Sequence, residues 1–166
     1  SYAALLSPQG KFLFDFFIFA PVENVFLIDL DASIKDDFLT RLSMYKLRMK
    51  LDIIETDFFV VLSKNKFDNK HSFPDPRNEK LGFRNYSLAK KFSECEENKK
   101  LGWVENEYEI IRIKNCIPVF GKELISNETY ILEAGFERIA GVSFTKGCFI
   151  GQEVTARMKH KTTLRK

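Results

Sequence analysis

The stretch that sets the fold is residues 2–19, YAALLSPQGKFLFDFFIF. Two apolar runs, residues 2–6 and 11–19, are separated by SPQG, in which serine, proline and glycine occupy the first, second and fourth positions of a type I turn. The stretch therefore predicts a β-hairpin whose second strand, apolar on both faces, is covered on both sides. Asp15 interrupts that strand as a carboxylate between two phenylalanines. It is either exposed at an edge, paired, or held for a ligand.

Outward from the hairpin, short strands and helices follow one another. The pattern S-x-x-D at residues 33–36 predicts a helix start with Ser33 as its capping residue. Apolar residues at helical spacing then predict a core-facing stripe. The remaining predicted elements are strands at residues 25–29, 53–62 and 81–86 and helices at residues 34–49, 87–99 and 101–114. Strands interleaved with helices in this way predict an α+β domain.

Length and composition exclude several classes of protein. The 166 residues suit one domain or two small ones closely joined, and 45% apolar residues with 17 phenylalanines provide enough material for a core, which excludes disorder. The most apolar window, residues 12–22, contains Asp15 and Pro21 and is shorter than the roughly 20 residues of a membrane span. We expect no membrane partner and no cleavable signal sequence, because the first six residues lack a basic start.

The cysteines indicate a reducing environment. Cys95, Cys116 and Cys148 are odd in number and widely spaced, which disfavours a disulfide framework and a metal-binding knuckle. With only two histidines, we expect no structural metal site. Cys95 and Cys116 are predicted to be packed, structural thiols. Together with a composition rich in Lys, Asn, Ile and Phe, these features predict a bacterial cytoplasmic protein.

Positive charge is concentrated near the end of the chain. Residues 145–166 carry six lysine and arginine residues against a single acidic residue, Glu153, while the whole chain is only +3. This segment indicates either an anionic partner, such as phosphate, polycarboxylate or RNA, or a solvated helix face.

The segment with the most chemistry is residues 144–153, FTKGCFIGQE. Glycines flank Cys148 closely, so the backbone can adopt positive φ or approach a ligand. Lys146 lies two residues before the thiol, and residues 151–153 are predicted to begin a helix. A cation and a helix start both favour the nucleophilic thiolate, although an ordinary Gly-Cys turn has the same spacing.

Residues 146–153 match K-G-C-[FY]-x-G-Q-E, the signature of the folate-binding YgfZ family. These proteins are relatives of the glycine-cleavage aminomethyltransferase, or T-protein, and their mitochondrial members serve iron–sulfur cluster maturation. Further segments resemble other elements of this family: LLSPQGK at residues 5–11, DPR at 75–77 with LGFR at 81–84, and RI at 112–113 with IP at 117–118 and GKEL at 121–124.

This resemblance implies a fold. It implies that residues 1–166 form a GcvT/YgfZ-type folate-binding core, α+β, with antiparallel sheets and helices in ferredoxin-like halves. Family members are usually nearer twice this length, with a further strand and helix before the hairpin and a small β-barrel at the C-terminal end. We therefore expect a region that is incomplete at both ends, without the C-terminal β-barrel.

The resemblance also implies a function, which is tetrahydrofolate binding by an accessory protein for iron–sulfur cluster assembly or repair and, through it, for tRNA-modifying enzymes. Cys148 is the implied reactive thiol, and Lys146 favours its thiolate. Asp15 is the candidate contact to the pterin ring. The other residues implied to bind folate are Gly147, Gly151, Gln152, Glu153 and Arg157, with Lys159 and Lys161 joining Arg157 at a polyglutamate tail.

The implied partners are iron–sulfur assembly proteins or client enzymes, and we expect no direct contact with nucleic acid. An alternative is aminomethyl transfer of the glycine-cleavage type. Two differences favour the YgfZ branch. Ile131 stands where T-protein has an arginine, and the T-protein counterpart of residues 146–153 lacks the cysteine.

Overall fold

The computed structural model describes residues 1–68, 71–88 and 103–161. The chain divides into two compact units. We call Ser1–Met49 with Ile117–Lys166 the hairpin unit, and Lys50–Cys116 the inserted unit. The described residues contain two three-stranded antiparallel sheets and three α-helices, which confirms the α+β class.

The sheet of the hairpin unit is built on the predicted hairpin. Strand β1 (Tyr2–Leu6) pairs with β2 (Phe12–Val22), which pairs in turn with β3 (Val25–Asp29). The amide of Gly10 donates to the carbonyl of Ser7 at 2.9 Å and closes the turn between β1 and β2. The hairpin and the strand at residues 25–29 are therefore confirmed.

Helix α1 (Lys35–Lys46) packs its first turns on the sheet. Ile34 and Phe38 are buried with Leu13 and Phe14 of β2 in one apolar cluster. The apolar stripe predicted along residues 34–49 extends too far, because α1 ends at Lys46 and Met49 beyond it is exposed.

The predicted cap by Ser33 is wrong. A short 3-10 turn, Ala32–Ile34, precedes α1, and Asp31 caps that turn by accepting from the amide of Ser33 at 2.8 Å. The Ser33 hydroxyl also donates to Asp31, at 2.6 Å. A carboxylate can accept both hydrogen bonds at once. Ser33 therefore donates both of them, and Asp31 is the capping residue.

The rest of the hairpin unit consists of turns and one helix. Residues 130–140 form successive turns that bury Phe136 and Ile139 almost completely, beside Phe12 of β2. That helix, Gln152–Lys161, is the third α-helix among the described residues, which end with it, and is numbered α3. It begins where the glycine–cysteine motif predicted a helix start.

The inserted unit has the strand order β4-β6-β5. Its elements are β4 (Phe58–Ser63), β5 (Ser72–Pro74), β6 (Phe83–Leu88) and helix α2 (Glu105–Lys114). Strand β4 begins five residues later than predicted. The sequence did not predict β5, a three-residue strand inside a polar loop.

Two cysteine predictions have different outcomes. The greater part of the helix predicted at residues 87–99, with Cys95, lies outside the described residues. Cys116 is exposed rather than packed, because it follows α2 in a turn with φ of 48°. None of the described helices has the length and apolar character needed to cross a membrane.

Candidate functional site

The glycine–cysteine motif forms an exposed loop before α3. We call residues 144–151 the Cys148 loop. Residues 145–148 are exposed, and the Cys148 thiol faces solvent in the reduced form. Phe149 is half-buried and begins the turn into the helix. The structure thus presents the sulfur at the surface, where a thiol can react or bind a metal.

The C-terminal end of the Cys148 loop is packed against the hairpin turn. Gly151 has φ of +79°, and a Cβ there would lie 2.7 Å from the Ser7 carbonyl oxygen and 2.9 Å from Cα of Gly10. A Cβ on Gly10 would in turn lie 2.9 Å from Cβ of Val154. Both glycines are therefore required for the β1–β2 turn to contact the start of α3.

Gln152 closes the turn that follows the cysteine. Its Oε1 accepts from the amide of Phe149 at 3.2 Å, and its own amide donates to the Phe149 carbonyl at 3.1 Å. Thr155, one turn later, is buried and donates its hydroxyl to the Gly151 carbonyl at 3.0 Å. Gln152, implied to bind folate, thus makes a local backbone contact.

Lys146 and Gly147 lie on the exposed part of the loop. The Lys146 ammonium lies 5.0 Å from the ring centroid of Phe149, in a cation–π contact. A Cβ added to Gly147 would meet nothing within 4 Å. Lys146 therefore contacts the residue directly after Cys148, and Gly147 has open space around it.

Two cations of α3, Arg157 and Lys159, have acidic partners. Arg157 donates to Glu153 at 2.9 Å on the exposed side of the helix. Lys159 pairs with Glu137 and lies 4.2 Å from the ring centroid of Phe144. Arg157 and Lys159 can meet an anionic tail only by sharing or exchanging these partners. The Lys161 side chain lies outside the described residues.

Asp15 is half-buried on β2, opposite Ala4 of β1. The Tyr2 hydroxyl donates to its Oδ2 at 2.9 Å. Tyr2 is 3% exposed, and its ring packs against the rings of Phe17 and Phe136, at centroid distances of 5.0 and 5.3 Å. A carboxylate held in this way is the type of acceptor that suits the N–H groups of a pterin, so Asp15 fits the implied ligand chemically.

The hairpin unit also contains a cavity of about 380 Å³ that the sequence did not predict. Its lining includes Leu13 and Phe14 of β2, which are buried, and Asp37 and Arg41 of α1. The residues lining this cavity include none of the predicted site residues. From the sequence, the four-residue spacing on a helix predicts that Asp37 and Arg41 share a face, but it does not predict a cavity.

The DPR segment of the inserted unit forms a buried ion network. Asp75 accepts from Nε and Nη2 of Arg77, at 3.0 and 2.8 Å, and Arg84 lies 3.7 Å from the same carboxylate. Arg77 also donates to the Tyr108 hydroxyl of α2 at 2.9 Å. We call these four residues the Asp75 network. Among the described residues, no group of three His, Cys, Asp or Glu side chains is placed to hold a metal ion.

Comparison with known proteins identifies the class to which this chain is similar, namely iron–sulfur cluster assembly factors. No protein-family model matches it. It is 31% identical over 160 residues to "Iron-sulfur cluster assembly factor IBA57 homolog, mitochondrial" of Dictyostelium discoideum, covering 85% of this chain and 39% of that protein. It is 29% identical to the protein of the same name from Mycosarcoma maydis, covering 99% and 44%. Against "Iron-sulfur cluster assembly factor IBA57, mitochondrial" of Mus musculus, identity is 28%, covering 100% and 51%.

The homologues show how much of each relative the chain covers, and they test the predicted location. The chain spans about 39 to 51% of the length of these three relatives. The expectation of a bacterial cytoplasmic protein is wrong, because the homologues are mitochondrial proteins. A small number of cysteines indicates a reducing environment but does not distinguish one reducing compartment from another.

Proposed function

We propose that this chain is the tetrahydrofolate-binding, cysteine-bearing region of a YgfZ-type factor for iron–sulfur cluster assembly. The observation that carries the proposal is the similarity, over 85 to 100% of the chain, to three proteins named as such assembly factors. Its partners are then iron–sulfur assembly proteins or client enzymes, including those that depend on clusters to modify tRNA.

The exposed Cys148 thiol supports a role in handling the cluster. A thiolate is both the usual protein ligand of cluster iron and a nucleophile. Clusters generally need four cysteine ligands, so a cluster handled at Cys148 is shared with a partner protein.

Asp15 supports the folate part of the proposal. The Tyr2 hydroxyl fixes one carboxylate oxygen, and the packed aromatic rings around Tyr2 fix the phenol. A carboxylate oriented in this way binds a pterin without first losing side-chain freedom. Arg157 and Lys159 receive the anionic tail by exchanging their present partners, Glu153 and Glu137.

Alkylation by iodoacetamide tests the thiol, because Cys116, which is also an exposed free cysteine, serves as an internal control. We expect Cys148 to be modified several times faster than Cys116 at neutral pH, as measured by mass spectrometry of the two peptides. Lys146→Gln is expected to reduce that difference, whereas Lys122→Gln leaves it unchanged. Equal rates at the two cysteines in the unchanged protein would overturn the reactive role of Cys148.

Calorimetric titration with tetrahydrofolate tests the ligand. We expect Asp15→Asn to weaken binding by roughly 10- to 100-fold, the usual effect of losing a hydrogen bond to a charged group. Arg41→Gln, in the lining of the 380 Å³ cavity, is the matched control and should leave the affinity unchanged. Weakening by Arg41→Gln with no effect of Asp15→Asn would place the ligand in the cavity and contradict the proposal.

A further inference from the structure

We infer that Gln152 is a positioning residue for the Cys148 loop and does not contact folate. Its side-chain carbonyl holds the amide of Phe149, the residue directly after the cysteine. The inference rests on the proposed function only in giving Cys148 its chemical role.

The geometry resembles the reciprocal bonding at a helix N-terminus in which a Glu or Gln reaches back three residues. The Gln152 Oε1 accepts from the Phe149 amide, and the Phe149 carbonyl accepts from the Gln152 amide. Two backbone groups that the helix start leaves without intrahelical partners are satisfied in this way.

Fixing the Phe149 amide also restricts the cysteine. The Cys148 carbonyl and the Phe149 amide belong to one planar peptide group. Once that plane is held, the position of the sulfur depends on the remaining dihedral angles of Cys148. Gln152 thus acts on the thiol through one peptide bond.

Gln152 itself is attached to a rigid part of the hairpin unit. Gly151, directly before it, packs against Ser7 and Gly10 so closely that a Cβ cannot be accommodated. On its other side, buried Thr155 donates to the Gly151 carbonyl. The hydrogen bond from the Phe149 amide to Gln152 therefore connects the exposed residues 145–148 to the rigid start of α3.

Two substitutions separate an acceptor role from a folate contact. Gln152→Met preserves length and helix propensity but removes the acceptor. Gln152→Glu retains an acceptor oxygen and removes the amide donor that a ligand contact would use. Amide hydrogen exchange at Phe149, alkylation of Cys148 relative to Cys116, and tetrahydrofolate affinity are measured for both variants, and circular dichroism verifies the fold.

In Gln152→Met we expect protection of the Phe149 amide to fall roughly five- to tenfold, as for loss of one hydrogen bond. The Cys148 alkylation rate should approach that of Cys116. In Gln152→Glu the protection of the Phe149 amide and the tetrahydrofolate affinity should remain within about twofold of the original protein, since the acceptor that carries the role is retained.

Unchanged Phe149 protection or an unchanged Cys148 rate in Gln152→Met would overturn the inference. So would a Gln152→Glu variant with normal Phe149 protection but weak folate binding, since the side chain would then contact folate directly. Failure of the proposed function is recognised separately, in the unchanged protein, by equal alkylation of the two cysteines or by absence of folate binding. Phe149 protection then still decides whether Gln152 orders the loop.

Discussion

The Cys148 loop and the Asp75 network are two motif segments with opposite physical character. In the loop, the thiol and residues 145–147 face solvent. In the network, the Asp75 side chain is 1% exposed and that of Arg77 is 5% exposed, with both carboxylate oxygens accepting from the guanidinium. Both segments contain charged residues in a recognisable order, so charge alone does not distinguish a site from a structural network.

The two segments are also held by different forces. The order of the Cys148 loop depends on glycine geometry and on hydrogen bonds to backbone groups. The Asp75 network depends on charges removed from water, where losing one partner leaves the other uncompensated. The consequences of substitution should therefore differ in size between the two regions.

The largest effect is expected for Asp75→Ala. Arg77 would remain buried without its carboxylate, at a cost of about 3–5 kcal/mol in the free energy of unfolding. Trp103 reports on the inserted unit, because its indole N–H donates to the Leu81 carbonyl at 3.0 Å. Urea unfolding followed by the fluorescence of this single tryptophan measures the loss.

Glu153→Ala is the matched control for the buried pair. It breaks an exposed ion pair with Arg157, whose side chains are 85% and 63% exposed, and should cost less than about 0.5 kcal/mol. If Asp75→Ala proved as mild as Glu153→Ala, the distinction between a structural network and an exposed site would not hold.

An intermediate effect is expected for Gly151→Ala, compared with Gly147→Ala in the same motif. Gly151 combines positive φ with a contact that a Cβ would bring to 2.7 Å, so alanine should cost roughly 2 kcal/mol or more. Gly147 has open space for a Cβ, and alanine there should change stability by less than about 0.5 kcal/mol. Thermal unfolding followed by circular dichroism measures both, and similar losses at the two glycines would show that the contact with the hairpin turn is not restrictive.

Local signals in the sequence were sufficient for the hairpin and for the start of α3, but not for the cap before α1, where Asp31 and not Ser33 accepts the hydrogen bond. The SPQG turn between apolar runs predicted the hairpin, and the motif predicted the start of α3. Long-range pairing was not predictable: β5 has only three residues and exists because β6 provides its partner. The helix stripe was extended too far, to Met49, because apolar spacing does not mark where a helix ends.

The candidate site shows the same difference between local signals and long-range contacts. The residue types of the Cys148 loop and of α3 can be recognised from spacing, but the roles of two residues of α3 depend on contacts that spacing does not give. Gln152 has its acceptor engaged by Phe149, and Arg157 has a partner in Glu153. The burial of Asp75 with Arg77 follows from the packing of the inserted unit and has no local signature.

An effect smaller than that at Gly151 is expected at an exposed carboxylate, Asp31, which lies outside both motif segments. The Ser33 hydroxyl and then the Ser33 amide donate to this carboxylate and hold its pKa below the ordinary value of 3.8, against a small opposing effect of burial. Because the folded pKa is lowered, the charged carboxylate stabilises the fold fully above pH 3.8, and this contribution is lost as the pH falls through the folded value. Asp31→Ala should therefore lower the free energy of unfolding at pH 7 by less than about 1 kcal/mol, after solvent screening.

Urea unfolding at pH 7 and at pH 3 measures that difference. We expect the gap between Asp31→Ala and the original protein to shrink at the lower pH. Ser33→Ala removes only the hydroxyl donor, retains the amide, and should lie between the two at pH 7. A gap that stayed constant with pH would mean that Asp31 stabilises the turn through its shape and not through its charge. The electrostatic contribution of this exposed carboxylate would then be as small as that of the exposed Glu153–Arg157 pair.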